Sequence, residues 1–546
     1  MIDQFSILDW ALFAIYGLIL LGSGWFFSRK SNTSQDYFLA GKSMPFWVVA
    51  VSVLATSQSA ATFLGGPDQG YRGDLTYIAT NLAGLIAAIF VASFLLPKFY
   101  QYKVYTVYEL LAKRFGDKAK YQAGTVYLIG RLFASGARLY MAAIAVAMIL
   151  FGDIATASVM FSIALIALIG FLYTMYGGIR TVIYSDVIQC FVYISAAGMV
   201  LYYLLSSIPT DLPTIYHALN NPLDGSQSKL TFVDFSLDFG PTGVFTFWSI
   251  ITGFVLLNIA AFGMDQDVTQ RMLTCKDSKQ ASKALASSVL MGIPVVLLFV
   301  CIGMLLYVYY LRPDLMMQAQ SDEPTPTFVG QTVTIFMYYV LTDLPNGAKA
   351  VVTIGIIAAA LSTLNSGLNS MASVAVQDIY RNLSKHKDTL TEAHLVKAGQ
   401  ICMGLVAIAL SFMAALCYFW QQHSDTPLLA FALSVMVFSY SGLLGVYFTA
   451  LFTNRGSARS ILLALIVGFL TPVLMQPYIM GLYLPEDMQF SLGFGYQLVA
   501  GTGLAFLVCI LGNNNVRLDA LHANESAKNA SKDTTSANRL TSWDAY

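Results

Sequence analysis

Between Val51 and Gly70 the chain reads VSVLATSQSAATFLGGPDQG, apolar and long enough to cross a bilayer, yet interrupted by hydroxyls, an amide and a Gly-Gly-Pro. In hydrocarbon an unsatisfied backbone group costs several kcal/mol. A segment so rich in breakers therefore folds stably only where protein encloses it, lining an internal site rather than facing lipid.

The rest of the chain can supply that enclosure. Of 546 residues, 57% are hydrophobic and 11% charged, and mean hydropathy is +0.64, the balance of an all-α integral membrane protein. Windows of about 20 apolar residues give about 13 transmembrane helices, near 7–27, 45–70, 75–98, 122–150, 155–176, 181–206, 242–272, 281–311, 346–380, 398–421, 427–452, 457–477 and 491–511. No large soluble domain fits between them. The first span follows MIDQFS, which carries no Lys or Arg, and lacks a small-residue cleavage pattern, so it reads as a retained helix.

Charge gives an orientation. With the N-terminus outside, 24 of the 30 Lys and Arg fall on the inner side and only Arg72, Lys229, Arg312 and Lys349 on the outer. The positive-inside rule then places the C-terminus in the cytoplasm of a cell whose inner (plasma) membrane holds the chain. The six cysteines are scattered with no C-x-x-C, and His217, His386, His394, His423 and His522 fall in loops, near helix ends or in the tail. Neither set reads as a zinc or disulfide framework.

The longest outer connections are 207–241 and 312–345; the second contains FVGQTVTIFMYYVLTD, read as a lid or re-entrant helix. Residues 512–546 lose the apolar pattern and read as a disordered cytoplasmic tail. A second interrupted span occurs at Leu256–Arg271, LLNIAAFGMDQDVTQR, where Asn258 and Gly263 are the expected breakers. Two interruptions in distant spans point to an inverted-repeat transporter with its site at the midplane. Repeats of five helices would run 45–206 and 242–452, leaving an extra helix and inner loop in 1–44, the outer loop 207–241, two helices in 453–511 and the tail.

Three groups of residues carry chemistry. Ala359, Ser362, Thr363, Ser366 and Ser370 recur at helical spacing on one face. Such a face is either a small-residue packing seam or a set of hard oxygen ligands for a small cation. Asp186 reads as a carboxylate favoured by a helix N-terminus. Arg138 lies about 12 residues from the nearer end of its span, roughly 18 Å at 1.5 Å per residue, beyond snorkelling reach. It therefore binds a substrate carboxylate, forms an internal ion pair, or marks a helix boundary placed elsewhere. Arg131, seven residues earlier on about the same face, reads as snorkelling or structurally paired.

Several strings in series resemble the sodium/solute symporter family: DYFLAGKSMPFW at 36–47, the polar first core helix, YGGIRTVIYSDVIQ at 176–189, DQDVTQRML at 265–273 and AAALSTLNSGLNSMASVAVQDIY at 358–380. The resemblance runs over roughly 5–510 and implies the leucine-transporter-type five-plus-five inverted repeat. It is nearer to bacterial sialic acid symporters than to the sodium/galactose symporter. The resemblance implies a sodium site from Ala359, Ser362 and Thr363 with the carbonyls of Ala55 and Gln58, where the family commonly carries an apolar side chain in place of Gln58. It implies a second sodium site at Asp186, Ser362, Asn365 and Ser366, with Asn365 replacing a serine. Substrate positions that match are Ser59, Thr62, Tyr77, Asn81 and Arg138. Asn258 is shared with the galactose symporter, whose acidic and lysine positions fall on Asn81 and Gly292 and whose inner aromatic gate falls on Ala261, beside Phe262.

The function these readings give is sodium-coupled symport of a small organic solute, an acidic one such as a sialic acid. The rivals are a symporter for a neutral sugar, amino acid or monocarboxylate, and a membrane sensor or channel. No Walker P-loop is present, and no nucleophile–base pair marks an enzyme. The expected partners are the solute, the sodium ion and the lipid bilayer, and no nucleic acid.

Overall fold

The structure is a computed structural model that describes residues 6–28, 33–223, 225–317, 327–328, 331–383, 390–421 and 428–513. The expected tail lies outside the described residues from 514 onward. The helices that matter below are α1 (Ile7–Ser28), α2 (Phe46–Ser57), α3 (Ala60–Arg72), α4 (Thr76–Phe90), α5 (Asp117–Phe151), α6 (Thr156–Ser207) and α7 (Leu212–Asn220). They continue with α8 (Val255–Gly263), α9 (Gln266–Met272), α10 (Ser278–Leu311), α11 (Ile335–Thr342), α12 (Ala348–Val374), α13 (Glu392–Gln421), α14 (Leu428–Phe452), α15 (Ala458–Leu474) and α16 (Phe494–Ile510). Among the described residues, 8 helices are long and apolar enough to cross a membrane, or 10 when each sharply bent pair counts as one span.

That number is lower than the sequence reading for identifiable reasons. Helix α6 has 52 residues, about 78 Å at 1.5 Å per residue, far more than one crossing of about 30 Å. It contains Gly178 at φ 59° and ψ −163°, a conformation only glycine adopts without strain. Gly170, before this turn, packs on Leu364 and Asn365, and Asp186, after it, accepts from Ser362, so the chain doubles back at Gly178. Helices α15 and α16 are apolar but only 17 residues each.

The first interrupted span breaks at Gln58 and Ser59. Gln58 closes α2 with extended backbone, φ −88° and ψ 115°, and the Ser59 carbonyl opens α3 by accepting from the amides of Thr62 and Phe63. Ending a helix here strips the carbonyls of its last turn of their helical donors. Helix α3 then lies on α10 at backbone distance: a Cβ at Gly70 would run into the Val300 carbonyl, and one at Gly303 into that of Pro67. Small residues permit this approach where lipid gives no hydrophobic drive for helix association.

Helix α12 is the central rod. From Ala358 to Val374 every residue is buried, and the helix packs on α6, α5, α13, α2 and α3. The segment expected as a lid forms a short hairpin, Thr327–Phe328 with Gln331–Thr332, followed by α11. Helix α11 buries Phe336 against Phe63 of α3, so it caps the bundle rather than crossing it. Three cations counted as inner-loop charges, Arg114, Lys120 and Arg271, are inside the protein. Arg271 is fully buried, and Arg114 donates to the carbonyls of Thr449, Ala450, Thr453 and Arg455 at the end of α14, satisfying helix-terminal acceptors.

Candidate functional site

The second interrupted span breaks at Gly263, one of its two expected breakers, and not at Asn258. Asn258 sits within α8, its amide donating to the Phe254 carbonyl at 2.8 Å. The helix ends after Gly263, where Met264 and Asp265 both donate to the Ala260 carbonyl. Asp265, extended at φ −86° and ψ 119°, then caps α9 by accepting from the Asp267 amide. The two pieces meet at 56°. A carboxylate at a new helix start is a stronger stop signal than an asparagine one turn into an apolar run.

Between α2, α4, α5, α8 and α10 lies a cavity of about 190 Å³. Five of the seven substrate candidates line it: Tyr77, Asn81, Arg138, Asn258 and Phe262. Ser59 lies across the helix break, in a smaller space of about 10 Å³ bordered also by Thr363 and by Arg138. Thr62 is buried and lines neither. Asn81 donates its amide to the Ile78 carbonyl at 2.9 Å. With one amide hydrogen of each of Asn81 and Asn258 bonded within its own helix, the other hydrogen and the side-chain oxygen of each are left for a ligand.

The two arginines of α5 are treated oppositely. Arg131 is paired with Asp265 at 2.8 Å and with Asp267. Arg138 has no carboxylate within ion-pair distance among the described residues; its nearest polar contact is the Met436 sulfur at 3.1 Å. The internal ion pair considered for Arg138 belongs to Arg131. What remains at Arg138 is a guanidinium facing a cavity, with donors for a carboxylate.

The sodium candidates converge from two elements. Ala55 and Gln58 stand at the end of α2, and Ala359, Ser362 and Thr363 on the face of α12 packed against it. All five are buried. The Ser362 hydroxyl donates to Asp186 at 2.8 Å, which leaves its oxygen lone pairs available, and Thr363 Oγ1 lies 3.3 Å from the Ala359 carbonyl. A set of carbonyl and hydroxyl oxygens, one freed by a helix break, suits a hard monovalent cation.

Asp186 is no helix cap. It lies eight residues beyond the Gly178 turn, fully buried, and accepts from Ser52 at 2.5 Å, Ser362 at 2.8 Å and Arg271 at 3.0 Å. Arg271 also pairs with Asp267 at 2.9 Å, so Asp186, Arg271, Asp267, Arg131 and Asp265 form one buried chain of three carboxylates and two guanidiniums. Tyr440 donates to Asp265 at 2.5 Å and Ser366 to Asp267 at 3.1 Å. Of the second-site candidates, Asp186 and Ser362 are therefore together, Ser366 serves Asp267, and Asn365 lies against Gly170 with neither amide atom hydrogen-bonded. The sequence reading missed this network. Its legible signal was the i,i+4 spacing of Asp267 and Arg271.

Comparison with known proteins adds a family. The profile of the sodium:solute symporter family matches residues 37–468. The sodium/sialic acid symporter of Proteus mirabilis (strain HI4320) is 26% identical over 479 residues, 86% of this chain and 89% of that protein. The sodium/glucose cotransporter of Vibrio parahaemolyticus is also 26% identical, over 513 residues, 92% of this chain and 91% of that one. A solved structure of a sodium-coupled sialic acid symporter, substrate-bound and outward-open, matches with a TM-score of 0.76 at 24% identity, covering 94% of this chain and all of that one. That likeness carries the helical transporter fold. Equal identity to a sialic acid and a glucose carrier leaves the solute to be argued from the cavity.

Proposed function

Because this chain belongs to the sodium:solute symporter family, we propose that it imports an acidic, hydroxylated solute of the sialic acid kind, driven by sodium. The observation that carries the acidic part is Arg138, which faces the cavity with no carboxylate partner among the described residues while Arg131 beside it is paired with Asp265 and Asp267. The hydroxylated part is supported by the carbonyl oxygens of Asn81 and Asn258 on the opposite helices. The two 26% relatives, a sialic acid and a glucose carrier, agree with a sugar-like solute.

The coupling follows from the helix break. Sodium held by the Ala55, Gln58 and Ala359 carbonyls and the Ser362 and Thr363 hydroxyls ties α2 to α12, fixing the break from which Gln58 and Ser59 project. Solute then meets a preorganised wall, and residues 45–206 and 242–452 act as the two inverted repeats of an alternating-access carrier. Ser59 and Thr62 enter the solute's surroundings when the smaller space beside Arg138 opens. The N-terminus lies outside and the C-terminus in the cytoplasm, supported by the bias of Lys and Arg toward one side, which the burial of Arg114, Lys120 and Arg271 leaves in place. The family transports, and no residue here is assigned a catalytic role.

The test is thermal shift of the purified protein with N-acetylneuraminate, its methyl ester and galactose, each with sodium and with potassium, followed by counterflow in liposomes. Ligand binding to the folded state alone raises apparent stability by mass action. N-acetylneuraminate should stabilise in sodium only, and the ester should not. Equal shifts for acid and ester, or a shift with galactose alone, would remove the acidic-solute reading.

A further inference from the structure

The Gln58 side chain does something that its backbone carbonyl does not. Gln58 lines the large cavity and not the small space shared by Ser59 and Thr363. The Gln58 Oε1 is buried with no hydrogen-bond partner. Its Nε2 borders a recess left by Gly292, where a Cβ would stand 4.0 Å from that nitrogen, 3.9 Å from Asn81 Oδ1 and 3.7 Å from the Leu54 side chain. A buried amide without a partner is destabilising. At this position an apolar side chain would fill the wall without that cost.

We propose that the Gln58 amide, together with Asn81 Oδ1, is a solute-recognition subsite for a hydroxyl or acylamino group, in the cavity that Arg138 also lines. Gln58 offers Nε2 as a donor and Asn81 offers Oδ1 as an acceptor, one of the Asn81 amide hydrogens being held by the Ile78 carbonyl. A group that both donates and accepts, such as a sugar hydroxyl or an N-acyl amide, satisfies both residues at once. The glycine at 292 gives it room. Gln58 thereby joins the two cargoes at one residue, its carbonyl toward sodium and its amide toward solute.

This inference rests on the acidic-sugar reading above and separates from it in one experiment. Affinity for N-acetylneuraminate and for its methyl ester is measured in saturating sodium for wild type and Gln58→Leu, and the sodium concentration for half-maximal stabilisation is measured without solute. The substitution keeps the carbonyl and nearly the volume, so the ligand-free melting temperature should hold or rise and sodium half-saturation should stay within about twofold, while affinity falls on the order of tenfold, the worth of about one hydrogen bond in a dry site. Gln58→Met, also apolar, repeats the measurement if the leucine variant fails to fold. Unchanged affinity for N-acetylneuraminate would overturn the subsite, as would an equal shift in sodium half-saturation, which would assign the side chain to the cation. A tenfold loss in Gln58→Leu with acid and ester bound equally would sustain the subsite and sink the role given to Arg138. No binding of N-acetylneuraminate by wild type would overturn both.

Discussion

Arg131 and Arg138 stand two helical turns apart on α5, both at the wall of one cavity, and the protein uses them in opposite ways. Arg131 is locked between Asp265 and Asp267 and, through Asp267 and Arg271, joined to Asp186. Among the described residues, Arg138 meets only a thioether. Desolvating a cation is costly in either setting, but at Arg131 the cost is met within the fold and at Arg138 it is left for a ligand. The first arginine is a fastener between the broken span and its neighbours. The second is a recognition group. The distinction is testable because the two arginines should fail in different measurements.

The largest effect should come from the fastener. Arg271→Met leaves Asp186 and Asp267 without their shared guanidinium, and removing one member of a buried ion pair typically costs about 3–5 kcal/mol. The variant should lose folded protein or melt well below wild type in detergent, irrespective of solute. The same loss is expected for Arg131→Met, and adding Asp265→Asn to it should recover part of the stability. An Arg131→Met protein that melts as wild type would collapse the comparison.

Arg138 should show the reverse pattern. Arg138→Ala removes a buried guanidinium with no carboxylate of its own, so stability in the absence of solute should not fall. Affinity for an acidic solute should drop by about 2–5 kcal/mol, on the order of 30-fold to several thousand-fold, with Arg138→Lys intermediate because it keeps charge and loses the bidentate fork. If Arg138→Ala instead lowers the ligand-free melting temperature while binding is unchanged, Arg138 is a second fastener.

A smaller change is expected at the cation. Ser362→Ala with Thr363→Val removes two neutral oxygens without adding bulk, and the sodium concentration for half-maximal uptake should rise roughly 30-fold, each ligand being worth about 1 kcal/mol net. Solute affinity at saturating sodium should recover. Unchanged sodium dependence would remove these hydroxyls from the site.

The sequence was informative wherever hydrocarbon makes a rule strict. Breakers in a span must line a site, and Val51–Gly70 does break beside the cavity, at Gln58. It was less informative where several residues satisfy the same rule. Asn258, Gly263 and Asp265 are all plausible interruptions, and only the capping geometry of Asp265 decides among them. Charge was the least transparent. Arg271 next to Lys276 and Lys279 reads as an inner loop, yet α9 turns it inward to Asp186. A long-range partner 85 residues away leaves no local periodicity to detect. Span length singled out Arg138, and the interrupted run Asn258, while the other substrate positions came from the resemblance; of all seven, Tyr77, Asn81, Arg138, Asn258 and Phe262 line one cavity, Ser59 borders the smaller space and Thr62 lines neither.

The smallest effect should come from Asn365, and it decides whether the fastener also binds a cation. Asp186 has its oxygens occupied by Ser52, Ser362 and Arg271, and a carboxylate has about four lone-pair sites to give. Asn365, which the family resemblance would put at a second sodium site, faces Gly170 with its amide unpaired. If the network is a fastener only, Asn365→Ala removes an unsatisfied polar group, and the melting temperature should hold or rise slightly. The Hill coefficient for sodium should be near one in wild type and unchanged in the variant. If Asn365 swings to Asp186 during transport, wild type should instead show a coefficient clearly above one, falling toward one in Asn365→Ala while Ser362→Ala raises the half-saturation as before. That second outcome would give the Arg271–Asp186 pair two roles, holding the fold when sodium is absent and yielding its carboxylate when sodium arrives. Arg271 would then resemble Arg138 rather than Arg131, because it too would exchange a partner within each transport cycle.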